Sequence, residues 1–183
     1  MSGFSTKLRV FFLYIILAIL AAGLFGAIHD QISYTVSSEY FTRFKFPMFH
    51  LLDPNIPERI RAAEVGFLAS WWMGVPLGLL TGAAGFIHKN VAKMRSALLL
   101  SLPMIMGFVL AFALCGLLYG FVQTQAIDLA GYRGWYIPEG VGDLRGFLCA
   151  GYMHNSAYLG GVAAIPGAWL FHIMMKRKDG DVY

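Results

Sequence analysis

The chain of 183 residues predicts an all-α membrane protein, a bundle of four transmembrane helices. Three observations lead there. Four apolar runs, 8–28, 63–87, 97–122 and 147–175, each reach the length a spanning helix needs. That length is about 20 residues, because a helix rises about 1.5 Å per residue and the hydrocarbon core is about 30 Å thick. Charged residues make up 13% of the chain and hydrophobic ones 58%, whereas a soluble domain carries about 25% charge. The basic residues also alternate between the two sides. Lys7, Arg9, Lys89, Lys93, Arg95, Lys176, Arg177 and Lys178 fall on one side, with only Asp179 and Asp181 as acids there. The positive-inside rule puts that side, and both termini, in the cytoplasm. The chain is then a single integral membrane domain, 1–183, with outer loops at 29–62 and 123–146.

The first run starts behind Lys7 and Arg9 and ends at the polar trio His29, Asp30 and Gln31. Its apolar stretch exceeds the 7–15 residues of a signal-peptide core, so it reads as an uncleaved anchor, although small residues such as Ala22 and Gly26 leave cleavage open. Ile32 to Ser37 alternates apolar and polar residues, which predicts a short strand or extended piece. Ser37 or Ser38 then caps a short aromatic helix to Phe46, stopped by Pro47. Tyr40, Phe41 and Phe44 recur at helical spacing there, as an interfacial helix or as a cap on the bundle. Asn55 and Pro57 mark the next helix start. Glu58–Arg61 and Arg61–Glu64 are pairs three residues apart, each worth a few tenths of a kcal/mol.

The second run carries the clearest pattern. Gly66, Ser70, Gly74, Gly78 and Gly82 recur every four residues, following Ala62. Lipid gives helices no hydrophobic reason to pair, so such small residues mark a seam where backbones approach closely. The seam faces either another span or a second subunit, and the intramolecular choice is favoured. Pro76 is expected to kink this helix. Gly107, Ala111 and Cys115 suggest a weaker seam in the third run. The second outer loop holds Trp135 and Tyr136, an interfacial anchor or a lid over an outer pocket. The fourth run is the least lipid-like: Tyr152, His154, Asn155, Ser156 and Tyr158 crowd its outer third, Gly160, Gly161, Ala164 and Ala168 permit close packing, and Pro166 is expected to bend it.

Several function classes drop out. The basic residues cluster at membrane edges rather than on one face, so nucleic acid is not the partner; the bilayer is. Cys115 and Cys149 have no metal-ligand or CxxC spacing, leaving at most one disulfide. Ser2 stands where myristoylation requires glycine. No phosphate loop, HExxH or GxSxG occurs, so the chain reads as non-enzymatic, with no catalytic residue assigned.

Polar groups at membrane depth usually face a bundle interior or a water cavity. The topology gathers His29, Asp30, Gln31, Glu64, His154 and Asn155 near one level on the outer side. This set is the candidate ligand-binding site, weighed against a purely structural hydrogen-bond network. Acids facing imidazoles also suit a metal, with His29 and His154 as candidate ligands, or a proton relay. A haem held between histidines is the redox version. His88 and His172 lie beside Lys89 and Lys176, where wet interfacial histidines are ordinary. A proton-coupled transport subunit using Glu64, Asp30 and His154 is the third class.

The stretch HDQISYTVSSEYFTRFKF at 29–46 resembles a segment in a group of uncharacterised bacterial multi-pass membrane proteins. The resemblance implies the bacterial inner membrane, which makes the cap of the first loop periplasmic. It implies no activity and no site residue.

Overall fold

The computed structural model describes residues 3–178, which are mostly helical, with no strand among them. Ser2, Asp179 and Asp181 lie outside the described residues. Four helices are long and apolar enough to cross a membrane: α1 Gly3–Val36, α2 Glu58–Ile87, α3 Val91–Gln123 and α4 Leu144–Lys178. Each contains one apolar run and continues beyond it. Large apolar side chains such as Leu24, Leu118, Leu159 and Val162 point outward. Water would penalise so much exposed apolar surface, and lipid would not; a multi-pass membrane protein fits.

The seam of α2 packs on α1 within the same chain. Gly66 lies against the Gly26 carbonyl, Gly74 against Ala18 and Ile19, and Gly82 against Tyr14 and Phe11. A second close pair joins α3 and α4, with Gly116 against Ser156, Gly120 against Tyr152 and Gly160 against Phe112. Here the sequence expectation is corrected. Gly107 has open space around it, and Ala111 and Cys115 are exposed. The buried stripe runs instead through Ile105, Val109, Ala113, Gly116 and Gly120. Both cysteines are free.

Pro76 has no N–H to donate, and its ring would meet the carbonyl four residues back. The helix answers by tightening to a 3₁₀ turn over Trp71–Met73, just before the proline. By contrast, α3 and α4 remain helical through Pro103 and Pro166.

Ile32–Val36 is not a strand; α1 continues through it. Tertiary contacts override β propensity here. Gln31 Nε2 donates to the Arg59 carbonyl at 2.9 Å, Tyr34 Oη donates to the Glu58 carboxylate, and Ser33 is buried. Residues 37–57, the connector, fold over one end of the bundle. Ser37 caps the next turn, its Oγ accepting from the Tyr40 amide at 3.2 Å. Tyr40–Lys45 winds as a π-helix, followed by the short helical turn Phe46–Met48. Its rings turn inward: Tyr40, Phe41 and Phe46 are buried with Ala62, Val65, Phe147 and Ala150. The chain reverses at His50, whose φ is 57°. Asn55 does not cap α2. Pro57 occupies the cap position, its carbonyl accepting from Ile60 and Arg61, while Asn55 closes a turn on Asp53. The Arg61–Glu58 pair forms at 3.8 Å.

The connector and the loop 124–143 share one end of the bundle. Glu39 ties them, its carboxylate accepting from the Gly142 and Asp143 amides at 3.1 and 2.6 Å. Those bonds hold the Glu39 carboxyl below its usual range. At the opposite end Lys7 Nζ donates to the His88 carbonyl at 2.8 Å.

Candidate functional site at the connector end

Three of the predicted residues meet. His29 and Asp30 lie in the last two turns of α1, and His154 lies in the third turn of α4, all buried. His29 Nδ1 is 3.0 Å from Asp30 Oδ1, and His154 Nε2 is 3.7 Å from the same oxygen. Ser33, one turn beyond His29, meets His154 Nε2 at 3.1 Å. The two imidazoles touch edge to face with centroids 4.7 Å apart, and Tyr40 stacks on His154 at 5.0 Å. Two buried atoms, His29 Nε2 and Asp30 Oδ2, have no hydrogen-bond partner within the protein.

The other predicted members go elsewhere. Gln31 binds the start of α2. Glu64 is exposed and lines neither cavity at this end. Its carboxylate sits on the outward side of α2, because Ala62, Val65 and Gly66 occupy the inward side. Asn155 is exposed on α4 but borders the larger cavity.

Lys45 is the residue the sequence reading missed. It is buried, its ammonium 4.9 Å from the Phe44 ring centroid and 5.6 Å from that of Tyr40. Burial holds its pKa below the usual lysine value, and the Asp30 charge partly restores it. Burial likewise raises the Tyr40 phenol. The π-turn explains Lys45. Five residues of α-helix would rotate it about 140° away from Tyr40, whereas the wider π-turn brings both onto the buried face.

Two cavities meet around these groups. One of about 40 Å³ lies among His29, Asp30, Lys45, Ser70, His154 and Tyr158. The other, about 280 Å³, opens between the connector, loop 124–143 and α4. Tyr40, Phe44, Trp135 and Tyr136 supply its aromatic walls, and Lys45, His154 and Asn155 its polar groups. Trp135 rests on Gly151, where any side chain would strike its ring. The Trp135 and Tyr136 rings of loop 124–143 therefore border a pocket.

A second histidine pair lies at the other end, and it is not wet. His88 and His172 are buried, with Nε2 and Nδ1 3.0 Å apart. Neither pair offers a slot for a porphyrin between its imidazoles: the His29 and His154 rings are in contact, and His88 and His172 are 3.0 Å apart.

No family model, curated protein or solved structure matches this chain.

Proposed function

We propose that this chain is a bacterial inner-membrane protein, with both termini cytoplasmic, that binds a small organic anion at its outer, periplasmic face without transforming it. The basic residues at the end opposite the connector support the orientation. One observation supports the binding: the buried Lys45 ammonium borders a 280 Å³ pocket walled by aromatic rings. Small-molecule sites are concave and mostly apolar, with a few polar groups that fix orientation. The rings suit a flat apolar body, and Lys45, with Asn155 and His154 beside it, suits a carboxylate or phosphate.

The test is a thermal-shift and tryptophan-fluorescence screen of the purified protein in detergent against small aromatic carboxylates and phosphate esters. A hydrogen bond to a charged group contributes about 1.5–3 kcal/mol, so Lys45→Gln should weaken a hit at least about tenfold. Hits that bind Lys45→Gln as well as wild type refute the assignment.

The proton-coupled alternative keeps Asp30 and His154 and loses Glu64, which is exposed. The geometry favours binding.

A further inference from the structure

We propose that His29, Asp30 and His154 form a site for one divalent transition-metal ion at the base of the outer pocket. Nothing in the small-anion reading requires this site, though the two share Lys45 and His154. One ligand atom from each of the three residues falls within 4.8 Å of the other two. Ligands about 2.0–2.1 Å from a tetrahedral ion sit about 3.4 Å apart. Rotation of the side chains into the adjoining 40 Å³ cavity closes that gap.

One observation sets this cluster apart from a fully satisfied hydrogen-bonded core network. His29 Nε2 and Asp30 Oδ2 are both buried and both lack a protein partner. Leaving such atoms unpaired costs about 1–3 kcal/mol each, more for a charged group. A metal ion would satisfy both once the His29 Nδ1–Asp30 Oδ1 bond gives way and the two side chains turn toward the ion.

The donor set decides the class of ion. Two imidazoles and one carboxylate suit iron(II), zinc, cobalt, nickel or copper, and not calcium or magnesium, which take oxygen cages. Three protein ligands leave a fourth position facing the cavity, which has room for a water. This is the open arrangement, not a closed structural site. Lys45 lines the same cavity, and its ammonium opposes a second cation there. Removing that charge should therefore tighten metal binding while weakening an anion in the larger pocket.

Cobalt is the probe. The full chain, purified in detergent and stripped with chelator, is titrated with Co²⁺ and followed by its d–d absorption, then challenged with Zn²⁺. The expected result is one Co²⁺ per chain, displaced by Zn²⁺. Binding should fall at least about tenfold in His29→Ala, His154→Ala and the isosteric Asp30→Asn, the loss typical of weakened ligation. It should strengthen several-fold in Lys45→Gln and stay unchanged in His172→Ala, which alters the other histidine pair. Helical circular dichroism of Asp30→Asn confirms that the bundle is intact. No cobalt binding by the wild type, equal binding by Asp30→Asn, or loss confined to His172→Ala overturns the site. Cobalt binding lost in Asp30→Asn while a carboxylate hit is retained separates the metal site from the anion pocket. A carboxylate hit without any cobalt binding sinks the metal site alone.

Discussion

Gly74→Ala tests whether α1 truly occupies the glycine seam. A Cβ on Gly74 would lie 2.6 Å from both the Ala18 oxygen and the Ile19 nitrogen. Comfortable contacts to carbon are about 3.5–4.0 Å, so the two helices must separate by about 1 Å. The obstructing atoms are backbone and have no rotamer to escape into. A gap of that size forfeits a quarter to a half of each dispersion contact along the seam. Overpacking costs about 1–3 kcal/mol, and this site belongs at the upper end. Alanine recovers about 0.8–1 kcal/mol through its helix propensity, leaving a net loss of about 2 kcal/mol. Gly78→Ala provides the graded comparison: its Cβ would meet Ala18 Cβ at 3.0 Å and Ile15 Cα at 3.1 Å. There the clash and the propensity nearly cancel, for a change within about 1 kcal/mol. Gly107→Ala has nothing within 4 Å and should be neutral or stabilising by up to about 1 kcal/mol. Unfolding in mixed SDS micelles, followed by helical circular dichroism, ranks the three. If Gly74→Ala costs no more than Gly107→Ala, α1 does not lie on the seam. If Gly74→Ala changes oligomeric state and leaves monomer stability alone, the seam belongs between subunits.

Two further outcomes follow from the connector end. The Glu39 carboxyl is depressed by the Gly142 and Asp143 amides. It therefore adds stability that is complete above the ordinary glutamate value of 4.5 and is lost as pH falls through its lower folded value. Glu39→Gln should remove that part of the acid dependence and loosen loop 124–143, read as Tm against pH and as proteolysis of the loop. Gly151→Leu should push Trp135 off α4 and raise acrylamide quenching of tryptophan fluorescence, whereas Gly131→Leu, with open space around it, should not. Equal quenching in the two variants would contradict the packing of Trp135 on α4.

The four spans were legible because a bilayer imposes a length and an apolar composition on every crossing. The α2 seam was legible because small residues at four-residue spacing have few other uses in lipid. The α3 seam was not: Gly107, Ala111 and Cys115 share that spacing, but the helix turns Ile105, Val109 and Ala113 toward α4 instead. Small size permits close approach without specifying which face uses it. His29, Asp30 and His154 could be brought together from topology alone, since all three sit at one level of the bundle. Glu64 could not be excluded, because its rotation on α2 depends on the Ala62–Val65–Gly66 stripe being the buried one. Lys45 was hidden for a different reason. A lysine in a loop reads as exposed, and only the π-turn brings it round beside Tyr40. His88 and His172 were misjudged because proximity to lysines in sequence says little about which side a ring faces.

Three polar networks lie inside the bundle; the His88–His172 pair leaves His172 Nε2 without a partner, and the other two differ in a way that bears on function. Tyr14 on α1 meets Thr81 of α2 at 3.1 Å and Ser101 of α3 at 3.4 Å. Thr81 and Ser101 also return bonds to their own helices, through the Leu77 and Leu98 carbonyls. Every group there is neutral and partnered, as expected of a device that only fixes helices together. The connector end instead buries an acid and a lysine and leaves His29 Nε2 and Asp30 Oδ2 unsatisfied. Burying opposite charges is commonly no more stable than an apolar pair of the same volume, and an unsatisfied buried atom is a further cost. Bundle stability gives the chain no reason to accept either. Both costs are offset once a ligand or ion supplies the missing partners, and they fall where a 40 Å³ cavity adjoins a 280 Å³ pocket. That coincidence of unmet polar groups with available space is the physical case for binding at this end of the molecule.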